Sequence, residues 1–387
     1  MIQHLLPTGR PAGYNPAKRQ IENLRYSRQI ECRELEVGAG LSMDNAASLR
    51  LKETCARPKK KAQLPRAAVA VNLRPMKSLA HFASRRLFSY AAIALFACVN
   101  LAISAAGPAE TLFVATALTD EGGFTEGIEG PACDARGNIY AVNFARQQTI
   151  GKVTPDGKAT VYVELPGKSV GNGIRFAPDG IMFVADYVGH NVLRIDPATR
   201  AITVFAHSDQ MNQPNDLAIA SDGTLYASDP DWKEKTGQLW RIDKDGSVKR
   251  IAEKLGTSNG IEVSPDGKTL YVNESVQRNV WVFTIGAEGN LTDKRLLKKF
   301  DDHGFDGMRC DIDGNLYITR HGKGTVVKLS PTGEVLREID VLGPMPSNIC
   351  FGGPDGRTAY VTEVKQRRLV QFRVDRPGLE WNRWAGK

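Results

Sequence analysis

Short runs of alternating apolar and polar residues, each folded around a glycine-containing turn, recur along the chain from residue 111 onward. This pattern predicts β-hairpins, because period-two alternation suits a half-buried strand and Asp-Gly pairs favour tight turns. The turn glycines are Gly137, Gly180, Gly223, Gly267, Gly314 and Gly356. Their spacing of 42 to 47 residues is the period of a four-stranded propeller blade rather than of a helical solenoid.

Each hairpin is followed by two further β-type runs, such as NVLRID and AITVFAH within residues 191–207. The last repeat ends one strand short, while the run TLFVATAL at 111–118 precedes the first hairpin. An incomplete blade would expose an unpaired edge, so we expect the N-terminal strand to supply the missing one. The prediction is therefore an all-β, six-bladed β-propeller with four antiparallel strands per blade, over residues 107–387.

The formal charge of +8 comes from the first part of the chain. Residues 1–106 contain 17 Lys and Arg against 6 Asp and Glu, whereas residues 107–387 contain 34 against 37. The predicted folded domain therefore has a net charge of −3. The overall basic charge therefore does not indicate a nucleic-acid partner, and we expect none, because an electrostatic footprint must lie on the folded domain.

The segment at 76–106 has the features of an export signal. A basic start after Met76 precedes an apolar run at 87–103 and a group of small residues, and SRRLF at 84–88 resembles a twin-arginine motif. We therefore expect a periplasmic or secreted bacterial protein, and we interpret residues 1–75 as a disordered segment or an over-long start of the gene. The alternative is a signal anchor kept as one membrane span, the one case in which a membrane would be a partner.

The cysteines of the propeller region are Cys133, Cys310 and Cys350. Two of them occupy core positions of their hairpins, so we interpret them as small buried apolar residues. An odd number in separate blades does not indicate a disulfide framework, and no Cys/His spacing indicates a zinc site.

Polar residues recur at the start of each predicted inner strand, eight residues before the turn glycine. They are Glu129, Asn172, Asn215, Asn259, Asp306 and Asn348, with Ser347 as an alternative in the last blade because of an extra glycine. A second polar set follows each turn glycine by six residues: Asn143, Asp186, Asp229, Asn273, Arg320 and Thr362. Both sets are expected at one mouth of the central channel. Asn and Asp also favour turns for local reasons, which remains an alternative for any one of them.

Two members of the first set are carboxylates, Glu129 and Asp306. Two carboxylates that converge on one channel repel each other unless a positive charge lies between them. Oxygen ligands from Glu, Asp and Asn suit a hard cation. The pattern therefore predicts one divalent cation, with Ca²⁺ favoured and Mg²⁺, Zn²⁺ or Mn²⁺ as alternatives.

Four motifs, in order, are EGP at 129–131, PND at 214–216, SNG at 258–260 and FDGMRCDIDGNLY at 305–317. With them, residues 111–374 resemble the regucalcin/gluconolactonase family of six-bladed propeller lactonases, which also includes luciferin-regenerating enzyme. The resemblance implies that Glu129, Asn259 and Asp306 bind the cation and that Asn215 contacts cation or substrate. The stretch LYASDPDW at 225–232 is similar to the bacterial gluconolactonase branch, which makes Asp229 a candidate for substrate contact or for support of the site.

The expected function is metal-dependent hydrolysis of a sugar lactone, with Asp306 as the catalytic residue that orients or deprotonates water. Asn172, Asn215 and Asp229 are the expected substrate-binding residues, and a small lactone is the expected partner of a monomeric protein. His303 and His321 are alternative candidates for a role at the site. Other lactone or aryl-ester hydrolysis and a non-catalytic ligand- or protein-binding propeller remain open, whereas the absence of a GxSxG motif counts against a serine esterase.

Overall fold

The computed structural model describes residues 110–385. The predictions for residues 1–75 and for the export signal at 76–106 lie outside the described residues. Among the residues that the structure describes, no helix is long and apolar enough to cross a membrane.

Six four-stranded antiparallel sheets form the blades of a β-propeller, which confirms the predicted fold. Blade 1 contains β2 (Phe124–Cys133), β3 (Ile139–Phe144), β4 (Thr149–Val153) and β5 (Ala159–Glu164). Blade 2 contains β6 (Gly171–Phe176), β7 (Met182–Asp186), β8 (Asn191–Ile195) and β9 (Ile202–His207). Blade 3 contains β10 (Leu217–Ile219), β11 (Leu225–Asp231), β12 (Thr236–Ile242) and β13 (Val248–Leu255). Blade 4 contains β14 (Ser258–Val263), β15 (Thr269–Glu274), β16 (Asn279–Ile285) and β17 (Leu291–Lys299). Blade 5 contains β18 (Met308–Cys310), β19 (Leu316–Arg320), β20 (Thr325–Leu329) and β21 (Val335–Asp340). Blade 6 contains β22 (Pro346–Gly352), β23 (Thr358–Glu363), β24 (Arg368–Arg373) and the N-terminal β1 (Thr116–Ala117).

The ring closes as the sequence predicts, with the N-terminal strand completing the last blade. In the register of β1 and β24, Thr116 lies opposite Gln371 and Ala117 lies opposite Val370. The backbone of Phe113 adds a further hydrogen bond to the Arg373 carbonyl at 2.8 Å. The two ends of the propeller are therefore joined within one sheet, and the edge of β24 is covered.

Adjacent blades pack through apolar side chains that alternate along their strands. Between blades 1 and 2, Val142, Ile150, Ile174 and Val184 are all fully buried. Burial of one such side chain contributes about 1.5–3 kcal/mol relative to leaving it exposed. This packing holds the inner strands in fixed positions around the axis.

Buried charges lie along the axis between the inner strands. The Asp216 carboxylate lies between two fully buried guanidinium groups, 2.9 Å from Arg309 Nη1 and 3.3 Å from Arg175 Nη1. Unpaired, each of these charges would be costly in a site closed to water. The axis below the polar mouth is therefore filled by a charged network rather than open to solvent.

A short C-terminal helix, α1 (Leu379–Ala385), was not expected from the sequence, which shows no helical periodicity there. Glu380 Oε1 lies 2.7 Å from Arg175 Nε, and Arg383 Nη1 donates to the Ile219 carbonyl at 2.6 Å. The preceding backbone is held by a hydrogen bond from Gly378 N to the carbonyl of the turn residue Gly356. These contacts place α1 at the turn end of the inner strands, opposite the polar mouth.

Candidate metal centre and active site

Three of the predicted side chains meet at the mouth of the channel. Glu129 lies in β2, Asn259 lies in β14 and Asp306 precedes β18. Asn259 Nδ2 donates to Asp306 Oδ1 at 2.9 Å, and the Glu129 and Asp306 carboxyl groups lie within hydrogen-bonding reach of each other. Asn348 Nδ2 donates to Glu129 Oε2 at 3.0 Å. Blades 1, 4, 5 and 6 thus each contribute one side chain to a single polar centre.

The two carboxyl groups of this centre are hard to ionise together. Burial raises the pKa of Glu129 above its ordinary value. Burial and the charge of Glu129 raise the pKa of Asp306 well above its ordinary range. Hydrogen bonds from Asn348 and Asn259 favour the ionised forms without overcoming burial. Such a pair retains a proton or takes up a cation.

Unpartnered amide oxygens beside the carboxyl groups fit a cation. Asn259 uses its Nδ2 for Asp306 and for Ser275, while its buried Oδ1 has no hydrogen-bond donor. Asn273 Nδ2 donates to the Asp306 carbonyl at 2.7 Å, and the buried Oδ1 of Asn273 is likewise without a donor. A buried acceptor without a partner is costly, whereas carboxylate and amide oxygens are the ligands that Ca²⁺ and related hard cations prefer. The residues present therefore fit the predicted ion.

The number of acidic groups at the centre is small. Within residues 110–385, no set of three or more His, Cys, Asp or Glu side chains is arranged to hold a metal ion. The anionic donors at the mouth are thus the two carboxylates, with amide oxygens beside them. Since affinity for a hard cation rises with the charge of its ligands, a cation held by these groups would be bound with modest affinity.

Glycines next to the mouth residues allow the inner strands to approach closely. A Cβ atom on Gly307 would lie 1.9 Å from Cγ of Asn348, and one on Gly260 would lie 2.6 Å from the Asp306 carbonyl oxygen. Gly260 N also donates to that carbonyl at 3.2 Å. The glycines after Asn259 and Asp306 are therefore required by the packing of neighbouring blades.

In the last blade, Ser347 has the backbone position equivalent to the mouth residues of the other blades, whereas Asn348 provides the side chain. Gly307 N donates to the Ser347 carbonyl, as Gly260 N does to that of Asp306, so Ser347 has the equivalent backbone position. Asn348 is the residue whose side chain reaches Glu129. The Ile349 N–H donates to Asn348 Oδ1 and so fixes which end of the carboxamide faces Glu129.

The sequence predicted that the second polar set forms a second ring at the mouth. In the structure its side chains are buried and make hydrogen bonds to neighbouring segments, while Asn273 also keeps a buried Oδ1 without a donor. Its members bind the segments that carry or precede the first set. These contacts are Asn143 to the Gly127 carbonyl, Asp186 to Val170 N, Asp229 to Asn212 N, Asn273 to the Asp306 carbonyl, Arg320 to Asp302 and Thr362 to Asn348 N. Each second strand therefore supports a mouth residue of its own or the next blade.

The predicted substrate-binding residues differ in their placement. Asp229 is fully buried and accepts hydrogen bonds from two backbone N–H groups, at Asn212 and Gln213, and from Gln238 and Trp240. This arrangement favours support of the chain that leads into Asn215 over direct substrate contact.

Asn215 and Asn172 lie on adjacent blades at the mouth. Asn215 is buried, and its carbonyl accepts a 2.8 Å hydrogen bond from Gly173 N, the residue after Asn172. Asn172 is half-buried at the start of β6. Both remain candidates for substrate contact.

The two histidine candidates, His303 and His321, differ in their distance from the polar centre at the mouth. His303 is an exposed loop residue 3.4 Å from Asp302, whereas His321 lies close enough for its charge to lower the pKa of Glu129.

Tyr187, which sequence reasoning missed, follows β7 and donates to Gln213 Oε1 at 3.0 Å. Burial, together with nearby carboxylates that include Asp306, raises the pKa of Tyr187. Its position one residue after the polar Asp186 was the available signal.

The fold and mouth define a class: six-bladed propellers with acidic and amide side chains gathered at one end of the axis. The chain belongs to the SMP-30/Gluconolactonase/LRE-like family, whose model matches residues 127–365. This confirms the family resemblance of the sequence motifs.

Individual relatives are consistent with this membership. The chain is 29% identical to a gluconolactonase of Zymomonas mobilis over 270 residues, which cover 60% of this chain and 75% of the relative. It is 30% identical to a 6-deoxy-6-sulfogluconolactonase of Pseudomonas putida over 144 residues, covering 36% of this chain and half of that protein.

Solved structures share the fold. A gluconolactonase of Xanthomonas campestris matches with a TM-score of 0.58 and 23% identity, covering 67% of this chain and 89% of that one. A calcium-binding regucalcin of Agrobacterium tumefaciens matches with a TM-score of 0.58 and 20% identity, covering 68% and 98%.

Proposed function

We propose that this protein hydrolyses a sugar lactone in a reaction that depends on one divalent cation at the mouth of the propeller. The observation that carries the proposal is the convergence of Glu129, Asn259 and Asp306, with the Asn259 Oδ1 atom buried and unpartnered. The relatives named as lactonases from Zymomonas mobilis and Pseudomonas putida support the choice of substrate class. The calcium-binding regucalcin of Agrobacterium tumefaciens supports Ca²⁺ as the first ion to test.

Hydrolysis requires attack on the lactone carbonyl and departure of the ring oxygen. Glu129, Asn259 and Asp306 would hold the cation, which when bound polarises the carbonyl and stabilises the negative charge that develops on its oxygen. Because Asp306 Oδ1 accepts a hydrogen bond from Asn259 Nδ2, we assign to the other carboxylate oxygen of Asp306 the role of accepting a proton from water. The water oxygen then bonds to the carbonyl carbon, the ring C–O bond breaks, and the ring oxygen takes up a proton.

Positioning of these groups comes from the surrounding polar contacts. Asn348 and the Gly130 N–H both donate to Glu129 Oε2, and the Asp306 carbonyl is held by Asn273 and Gly260. These contacts hold the Glu129 carboxylate and the backbone of Asp306 in place, and catalysis by preorganised groups requires such positioning. Asn172 and Asn215 would contact the hydroxyl groups of the sugar ring.

Removal of divalent cations tests the proposed function. Chelation followed by desalting should abolish hydrolysis of a simple aldonolactone, and Ca²⁺, Mg²⁺, Mn²⁺ or Zn²⁺ added singly should restore it to different extents. Initial rates measured with a pH indicator report acid release, with spontaneous hydrolysis of the same lactone as the blank. Full activity in the chelated protein would contradict a metal-dependent reaction, and cation binding without turnover of any lactone would favour the non-catalytic alternative.

The apparent affinity for the cation should increase as the pH rises. Because the pKa values of Glu129 and Asp306 are raised in the ion-free protein, protons compete with the cation for these oxygens. Titration calorimetry should therefore show tighter binding at pH 8 than at pH 5, with proton release that scales with the ionisation enthalpy of the buffer. Affinity that does not vary with pH would mean that the ion binds elsewhere.

Location outside the cytoplasm and a monomeric state are part of the same proposal. Location rests on the export-type segment at 76–106. The monomeric state rests on the ring, whose six blades close on themselves.

A further inference from the structure

Closure of the ring brings two buried cysteines into contact. Cys133 ends β2 in blade 1 and Cys350 lies in β22 of blade 6. They are 217 residues apart in sequence, yet their Sγ atoms are 3.7 Å apart. Both are free thiols. The sulfur pair therefore lies at the interface where the first and last blades meet.

The residues around the cysteine pair are apolar and leave space for two sulfur atoms in contact. Cys133 and Cys350 share an apolar cluster with Ile128, Tyr360 and Leu369. Gly352 also borders the pair, since a Cβ atom at that position would lie 2.5 Å from Cys133 Sγ. The Cys133 sulfur therefore occupies space that is available because residue 352 has no side chain.

We propose that Cys133 and Cys350 are a modification site, and that they form a disulfide bond between blades 1 and 6 when the chain folds in the presence of an external disulfide. The thiolate of one cysteine attacks oxidised glutathione, which forms a mixed disulfide and releases one glutathione thiolate. The second cysteine then attacks the protein sulfur of the mixed disulfide and releases the other glutathione. Two protein thiols are oxidised, one external disulfide is reduced, and the two protons lost by the cysteines end on the glutathione thiolates.

The proposed bond would fasten the propeller at its point of closure. A cross-link between residues 217 positions apart restricts the unfolded chain far more than a short loop does. It also ties the first inner strand to the last, so that the ring cannot open between blades 1 and 6 without breaking the bond. We expect the unfolding equilibrium constant of the oxidised protein to be lower than that of the reduced protein by on the order of a hundredfold.

Burial determines when the bond can form. Cys350 is fully buried and Cys133 is nearly so, and burial raises the pKa of the Cys133 thiol well above its ordinary value. Because the thiolate is the reactive species, both oxidation and reduction should be slow once the interface is packed. The bond is therefore expected to form during folding and then to resist reductants in the folded protein.

The test uses the full chain, refolded from denaturant with a mixture of oxidised and reduced glutathione. Free thiols are alkylated, the protein is digested without reduction, and linked peptides are identified by mass spectrometry. We expect the peptide pair containing Cys133 and Cys350 as the dominant linked species, absent after refolding with reductant. Its absence after oxidative refolding, or equal yields of links to other cysteines, would overturn the proposal.

Matched alanine variants separate the bond from simple packing. Cys310 is buried almost as completely as Cys350 and occupies the position in blade 5 that Cys133 occupies in blade 1, but its Sγ contacts the Val263 carbonyl rather than another sulfur. Cys133→Ala and Cys350→Ala should each remove the difference in stability between oxidised and reduced protein, whereas Cys310→Ala should retain it. If all three variants retain that difference, or if the unmodified protein shows none, the proposal fails. Lactone hydrolysis is not part of this measurement, so its outcome is independent of the proposed function.

Discussion

Replacing Asp306 with Asn should lower kcat/KM for lactone hydrolysis by about 10²–10⁴-fold. The substitution keeps the size of the side chain and leaves an oxygen that can accept from Asn259 Nδ2. It removes the negative charge and the carboxylate oxygen to which the proposed function assigns cation binding and acceptance of a proton from water. Initial rates on an aldonolactone at saturating Ca²⁺ provide the measurement.

Stability separates this loss of activity from misfolding. The Asp306 carboxyl group is buried against Glu129, and the charge of Glu129 raises its pKa. Removing one charge of such a pair should leave the ion-free protein at least as stable as before, while abolishing the rise in Tm that the proposed function predicts on addition of the cation. Asp313→Asn, in the β18–β19 turn of the same blade and ion-paired with Arg376, is the matched control and should change neither quantity. Asp306→Asn that hydrolyses lactones at the original rate would remove the basis of the proposed function.

The same assignment predicts non-additive effects. Glu129→Gln should cause a loss of comparable size, and the variant carrying both substitutions should be little worse than either alone. Residues that hold one ion act as a unit, so removing the second ligand has no further effect once the first is gone.

Replacing Asp216 with Ala should destabilise the propeller by about 3–5 kcal/mol. The carboxylate lies 2.9 Å from Arg309 and 3.3 Å from Arg175, and both arginines are fully buried. Without Asp216, the nearest remaining counter-charge would be Glu380, 2.7 Å from Arg175 Nε. Glu262 lies 3.9 Å from Arg175, and burial raises the pKa of Glu262 to about 8. Denaturant unfolding followed by tryptophan fluorescence gives the change in the free energy of unfolding.

A second substitution tests whether unpaired charge is the cause. Adding Arg309→Met to Asp216→Ala should recover part of the lost stability, because the buried guanidinium group that loses its ion-pair partner Asp216 is removed. Asp245→Ala, at the exposed turn between β12 and β13 of the same blade, provides the control and should leave unfolding unchanged. Equal midpoints for Asp216→Ala and Asp245→Ala would show that the axial network contributes nothing to stability.

The relation between sequence and site is clearest in the polar sets. The first set was found by counting back from the turn glycines, because a hairpin fixes where each strand begins. The second set lies at the predicted end of the blades, but its hydrogen-bond partners could not be predicted, since spacing gives the end of the sheet and not the neighbour that a side chain contacts. The Asp229 carboxylate, for example, accepts hydrogen bonds from four residues of its own blade: Asn212, Gln213, Gln238 and Trp240. Helix α1 was missed because seven residues are too few to show a helical period.

The sequence by itself determined the six hairpins, the four strands of each blade, the strand that closes the ring and the residues at the mouth. These features depend on turn chemistry and on alternation between near neighbours, which are legible along the chain. Only the tertiary structure decided which distant groups touch: Glu129 with Asp306, Asp216 with its two arginines, and Cys133 with Cys350. Those contacts arise where six inner strands converge on one axis, and the distance between two blades across or around that axis is set by packing rather than by any local pattern.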